Sequence, residues 1–346
     1  MVVDGRPVAF EPGDSIAVAI LRVGEVPGRG GTLCLAGDCG NCLAQVDGVA
    51  YVRTCQAAAR PGLPVVRHPA TEMPPLPVVA AAAPTASPAG RVIEVRRAET
   101  DVAIIGGGAS GLAERVAAER AGRTVMLLDA EAGDEVVAIY AGPTIIVRTR
   151  AGMLHVHPHE IVVATGAAEI HPVCPGNELS GLVTAHAAER LHAAGVELGV
   201  SIAIGRPPEG VPCTPLPGRL VRFEGDADGR VHAVVTADDA GTEASTPCQT
   251  VILGLGLTPR DLLARMAGEA PVRSVGRAAA ALPLPPPPTE GVVCPCSGTT
   301  IDDLQGAWDQ GFTELELLKR ASLACLGREA GRRRPGTCRG RPGWPA

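Results

Sequence analysis

The chain has 346 residues, enough for two or three domains with their own cores. A formal net charge of −6 and an aromatic content of 2% exclude a broad basic or base-stacking surface for nucleic acid, and no uncharged apolar run approaches the roughly 18 residues of a membrane helix. Eleven cysteines without an apolar amino-terminal leader point away from a secreted disulfide scaffold and toward a soluble cytoplasmic protein with no membrane partner.

The first predicted module, residues 1–60, centres on Cys34-Leu-Ala-Gly-Asp-Cys39-Gly-Asn-Cys42. Its C-x4-C-x2-C spacing is that of plant-type 2Fe-2S ligation, which asks for four thiolates on a sharply turned loop with backbone N–H groups free to bond the sulfurs. Gly37 and Gly40 stand where such a loop must curl. The alternating stretch Leu43 to Val52 predicts a hairpin turning at Asp47-Gly48 that delivers Cys55 as the fourth ligand. Two other uses of these thiols compete. A redox dithiol at Cys39 and Cys42 leaves Cys34 and Cys55 without a task, and four thiolates also suit a structural zinc ion.

Residues 61–94 are rich in proline and alanine and read as an extended linker. A middle module over 95–282 then opens with the apolar strand Asp101–Ile105, the turn Gly106-Gly107-Gly108-Ala109-Ser110-Gly111, a helix from Leu112 to Ala121, and a second strand ending at Asp129. Each part has a dinucleotide-binding reason. Gly106 makes the turn, Gly108 lets backbone approach a pyrophosphate, Gly111 packs helix on strand, and Asp129 can accept hydrogen bonds from a ribose. A hairpin over Val136–Tyr140 and Thr144–Arg150 is all that connects Asp129 to the next core strand. Ile161–Ala167, containing Thr165 and Gly166, and Val251–Arg260 predict further short buried strands.

With these elements the chain resembles the two-dinucleotide-domain flavoproteins, which implies FAD as the bound dinucleotide, with Thr165, Gly166 and Gly276 among the residues lining it. The phrases Pro175-Gly-Asn-Glu-Leu-Ser-Gly-Leu182 and Leu257-Thr-Pro-Arg260, joined to an amino-terminal cluster module, are similar to the α-subunit class of heteromeric amino-acid oxidases and dehydrogenases. Sarcosine oxidase, opine oxidase, proline dehydrogenase and hydrogen cyanide synthase complexes belong to that class. The resemblance implies a FAD- and 2Fe-2S-containing oxidoreductase subunit that relays electrons, while a partner flavoprotein subunit oxidises a small amine or amino acid. The implied fold is α/β: an α+β ferredoxin-like domain, a shortened Rossmann-like FAD domain, and a small helical carboxy-terminal segment.

Two features depart from that class. Val275-Gly276-Arg277 places an arginine where a carboxylate is expected near the flavin's ribityl chain. In the second nucleotide subdomain, at about 192–248, Pro207 and Pro208 replace the start of the helix that would hold a phosphate, which disfavours a nicotinamide-dependent ferredoxin reductase. A degenerate cluster-bearing scaffold that has lost flavin is the alternative reading, and nothing in the sequence suggests a substrate pocket for a self-contained amine oxidase.

The last module, 289–346, supplies Cys294-Pro-Cys296 and two predicted helices. Thr300 with Asp303 begins the first, Gly311 ends it, and Thr313 with Glu316 forms a capping box for the second. The arrangement resembles the bacterioferritin-associated-ferredoxin type of 2Fe-2S domain, implying Cys294, Cys296 and Cys338 as ligands. Gly343 stands where the fourth is expected, so either Cys325 substitutes as ligand or this second cluster is incomplete. The arginine-rich end from Arg328 reads as a solvated tail. His155, His157 and His159 alternate on one strand face without a nearby acidic or thiol partner in sequence, Trp308 reads as core, and Cys174, Cys213 and Cys248 read as ordinary thiols.

Overall fold

The structure, a computed structural model, describes residues 1–67, 94–280, 288–294 and 297–324. It packs as two units, one formed by 1–77, 169–256 and 284–346, the other by 78–168 and 257–283. The division differs from three consecutive modules, because 169–256 leaves the expected 95–282 block and packs with the amino-terminal segment.

In the first unit, a five-stranded sheet runs in the order Arg6–Pro7, Val2–Val3, Pro64–Arg67, Leu43–Val46, Val49–Arg53. The amino-terminal domain therefore extends through Arg67 rather than ending at 60. Pro64 opens a central strand in which Val65 is buried and its neighbours are not, a pattern hidden by the proline-rich composition that follows. The helix Ile16–Arg22 starts at Ser15, whose hydroxyl accepts the Val18 N–H at 3.3 Å. It buries Ile16, Ala19 and Ile20 against Val3, Ala44 and Val65.

Residues 169–256 form a parallel sheet in the order Leu182–Thr184, Thr250–Gly254, Ser201–Gly205, Thr214–Leu216, and a separate antiparallel meander, Arg219–Gly225, Val231–Ala237, Glu243–Pro247, that shares its core. The helix Ala185–Ala193 is capped by Thr184, whose Oγ1 accepts the Ala187 N–H. As Pro207 and Pro208 predict, no helix follows Ser201–Gly205 before the strand at Thr214. The chain instead folds over the strand ends: a Cβ on Gly254 would lie 1.9 Å from the Arg206 carbonyl oxygen.

At the carboxy-terminal end, Val292–Cys294 pairs with Thr299–Thr300. The helix Ile301–Asp309 carries the expected capping box, Thr300 with Asp303. The helix Leu315–Ser322 does not: Glu314 occupies its N-cap without a side-chain hydrogen bond, so the Thr313/Glu316 box is not formed. Trp308 packs against the core of Val293, Cys294, Ile301, Leu304 and Leu318.

The second unit is a sheet with Val125–Leu128, Val95–Ile105 and Gly152–Val163 parallel and adjacent. Val272–Ser274 adds in parallel beside Ile161–Val163, and the hairpin Glu135–Tyr140, Thr144–Thr149 extends the other half of Gly152–Val163 in antiparallel fashion. His159 meets Asp101 at 3.2 Å on this sheet, an acidic partner that lies 58 positions away in sequence; His157 meets the Thr144 hydroxyl.

A charge network ties the sheet to the helix Ala109–Arg120. Arg273 bonds Glu114 and Glu160, each at 2.6 Å, and Glu160 also accepts from Arg123 at 2.6 Å. Hydrogen bonds from Arg273 come first in holding both carboxyls below the ordinary range. A depressed folded-state pKa contributes stability above the unfolded value and loses it as pH falls through the folded one. Glu160→Gln should therefore cost about 1 kcal/mol at pH 7, the exposed arginines limiting the effect. In thermal unfolding its deficit should shrink steadily below about pH 4; a deficit unchanged at pH 3 would remove the carboxylate charge from the account.

Candidate cluster and dinucleotide sites

Cys34, Cys39, Cys42 and Cys55 are all buried, none more than 4% exposed. The loop that carries them turns through left-handed backbone at Leu35, Gly37 and Gly40, with φ of +49°, +80° and +70°. These turns aim successive amides inward. The N–H groups of Ala36, Asp38 and Cys39 donate to Cys34 Sγ at 3.4, 3.3 and 3.3 Å, and that of Asn41 donates to Cys39 Sγ at 3.4 Å. The predicted hairpin turns at Asp47 and Gly48, with φ of +51° and +77°, and returns the chain to a short 3-10 turn, Thr54–Gln56. Thr54 locks that return, its hydroxyl donating to the Cys42 carbonyl at 2.6 Å. Gln56 Nε2 approaches Cys55 Sγ at 3.8 Å.

The thiols stand as two pairs. The Cys39 thiol donates to Cys34, which brings Cys34 down to about 7 and pushes Cys39 up. Cys42 donates to Cys55 in the same way, raising Cys42 and lowering Cys55. A dithiol motif would pair Cys39 with Cys42, and a lone zinc ion would gather its donors around one point. Two thiol pairs, with amides aimed at the sulfurs, fit the two irons of a 2Fe-2S cluster, which share four cysteines.

In the second unit, the glycine turn shows three separate reasons for glycine. Gly106 has φ +110°, and its Cβ would lie 2.5 Å from the Ala164 carbonyl oxygen. A Cβ on Gly111 would lie 1.9 Å from the Gly106 carbonyl oxygen, whereas one on Gly108 would meet nothing within 4 Å. Gly108 is also the N-cap of Ala109–Arg120 and offers no side chain to its amides. Open space over a bare helix start is what a pyrophosphate requires. Asp129 stands at the end of Val125–Leu128, and its carboxylate accepts from Gly107 N–H at 2.5 Å and from Glu131 N–H at 2.8 Å, so it braces the turn. Thr165 and Gly166 are fastened to Arg260: the Thr165 hydroxyl donates to the Arg260 carbonyl at 2.6 Å, and the Arg260 amide donates to the Gly166 carbonyl. Gly276, with φ +60°, abuts Ser110 at the helix start, while the Arg277 side chain is exposed. The residues expected to cradle a dinucleotide are thus gathered around one glycine turn, and they fit its phosphates.

Cys294 is fully buried, but Cys296, Cys325 and Cys338, the other expected carboxy-terminal ligands, lie outside the described residues, as does the arginine-rich tail. Burial pushes the Cys174 thiol up to about 12 and Cys248 to about 11, in keeping with ordinary protonated thiols. Among the described residues no helix is long and apolar enough to cross a membrane.

Sequence reasoning missed the role of residues 177–190. Asn177 holds the carboxy-terminal motif, its amide group donating to the Val292 carbonyl at 2.8 Å and accepting the Val292 N–H at 3.0 Å. Its neighbours hold the cluster loop. The phrase Pro175–Leu182 stands out in the sequence only through its resemblance to the α-subunit class, and nothing in it names its partners.

The chain is a mixed α/β protein whose amino-terminal segment matches a 2Fe-2S domain and whose fold is like that of a solved L-proline dehydrogenase. Residues 1–69 match the 2Fe-2S iron-sulfur cluster binding domain family. Among solved structures, the chain is similar to L-proline dehydrogenase from P. horikoshii, with a TM-score of 0.70 and 15% identity, covering 97% of this chain and 90% of that one. It also matches a FAD-dependent pyridine nucleotide-disulphide oxidoreductase from Desulfovibrio vulgaris, with a TM-score of 0.39 and 18% identity over 51% of this chain and 62% of that one. T. acidophilum thioredoxin reductase matches with a TM-score of 0.38 and 18% identity, over 53% and 91% of the respective chains. No curated protein sequence matches.

Proposed function

We propose that this chain is an iron–sulfur flavoprotein subunit that relays electrons within an amino-acid oxidase or dehydrogenase complex. A small amine or amino acid is oxidised at a partner flavoprotein subunit, and this chain holds FAD and a 2Fe-2S cluster. The observation that carries the reading is the presence, on one chain, of two thiol pairs under inward amides and a glycine turn open over Gly108. The likeness of fold to L-proline dehydrogenase over nearly the whole chain supports the substrate class.

When bound, FAD supplies two-electron chemistry and the cluster one-electron transfer. The protein's own contribution is placement. The open face at Gly108 and the start of Ala109–Arg120 would receive the pyrophosphate, Asp129 fixes the turn by accepting the Gly107 amide, and the amides of Ala36, Asp38, Cys39 and Asn41 set the field at the sulfurs. Nicotinamide chemistry in the 169–256 subdomain is disfavoured by Pro207 and Pro208, after which no helix start follows Ser201–Gly205 to hold a phosphate.

Anaerobic purification with iron, sulfide and flavin counted per chain tests the reading. About two irons and one FAD are expected. Four irons would add a carboxy-terminal cluster through Cys294, and iron without flavin would turn the assignment to the degenerate scaffold. Co-purification with a second flavoprotein that oxidises proline or sarcosine tests the partner.

A further inference from the structure

The stretch entering and leaving Cys34 is held at every second residue by one segment of the 169–256 subdomain. The Gly31 N–H donates to the Leu179 carbonyl at 2.9 Å. Leu33 donates to the Leu182 carbonyl and accepts the Thr184 N–H, both at 2.9 Å, as a parallel bridge beside Val183. The Leu35 carbonyl accepts Arg190 Nη1 at 2.6 Å. Leu33 thus makes a single parallel bridge at the Leu182–Thr184 edge, flanked by the Gly31 and Leu35 hydrogen bonds. The same surfaces share one core: Leu33, Leu35, Cys42 and Cys55 pack with Val183, Ala187, Ala188 and Leu191.

Leu35 is the point of greatest demand in this loop. It adopts left-handed backbone, φ +49°, without being glycine, and such a conformation persists only where its surroundings fix it. Its side chain is buried in the shared core, and its carbonyl is held by Arg190. The turn at Leu35 is also what directs the Ala36, Asp38 and Cys39 amides at Cys34 Sγ.

We infer that the 169–256 subdomain serves as the clamp of the cluster loop, and that Arg190 is a positioning residue that sets the cluster's reduction potential through Leu35. The inference rests on the reading of the four thiols as cluster ligands. Amide hydrogen bonds to sulfur, and a nearby cation, favour the more negative reduced cluster and so raise its potential. Releasing the Leu35 carbonyl loosens those amides and lowers it.

The test uses the full chain with its cluster, titrated with dithionite and followed by EPR and visible circular dichroism. Arg190→Gln should retain its iron, alter the visible dichroism, and shift the one-electron equilibrium about tenfold toward the oxidised cluster, about 59 mV downward. Arg190→Lys, a single point donor in place of the planar fork, should fall between. Glu189→Gln, whose carboxylate accepts the Glu209 N–H instead, should match the wild type. A potential and dichroism in Arg190→Gln identical to the wild type would overturn the role of Arg190 while leaving the cluster in place. A wild-type chain without iron would overturn the cluster reading and this inference with it. Should Arg190→Gln not fold, Arg190→Lys decides, and an unshifted potential there overturns the assignment.

Discussion

Replacing Cys39 with serine should reduce iron from about two per chain to near zero and abolish the visible absorption of the cluster. Cys39 is 4% exposed, donates to Cys34, and accepts the Asn41 amide. A serine hydroxyl is a poor iron ligand beside three thiolates. Electron transfer through the chain should disappear with the cluster. Flavin should remain, because the glycine turn belongs to the other packing unit. Electron transfer at the wild-type rate in Cys39→Ser would sink the relay, whatever the iron count.

Gly111→Ala and Gly108→Ala should fail in different ways. A methyl group at Gly111 meets the Gly106 carbonyl oxygen, a backbone atom, at 1.9 Å, so helix and strand must separate. Overpacking of this kind costs about 1–3 kcal/mol or more, and both thermal stability and bound flavin should be lost. At Gly108 the methyl group enters open space, on backbone with φ −71° that alanine adopts freely. Its melting temperature should stay near the wild type, while flavin per chain falls sharply because the methyl occupies the phosphate position. Equal flavin in Gly108→Ala and wild type would show that no pyrophosphate rests on this turn.

Legibility followed the range of the interactions. The cluster loop, the Asp47-Gly48 hairpin, the three glycines and the Thr300/Asp303 cap were readable because each is decided within a few residues by a backbone conformation or a short hydrogen bond. The interruption after Gly205 was readable for the same reason, since two prolines forbid a helix start. The assignment of 169–256 to the amino-terminal unit was not. It rests on main-chain pairing of Gly31 and Leu33 with Leu179, Leu182 and Thr184, which any residue but proline could make. His159 meeting Asp101 was hidden likewise, since parallel strands bring distant positions together without a local signal. The Thr313/Glu316 box failed in the opposite sense: the local pattern is present, but the helix begins later, at Leu315.

The clamp on the cluster loop also orders events in time. Leu35 and Arg190 lie 155 positions apart. At about 5–20 residues per second, ribosomes make the four thiols and then take roughly 7–27 s more to supply the arginine that secures their loop. Through that interval Cys34, Cys39, Cys42 and Cys55 belong to a nascent chain whose neighbouring sheet edge does not yet exist. With the four thiols read as cluster ligands, their loop is expected to be clamped only after the 169–256 segment has been made.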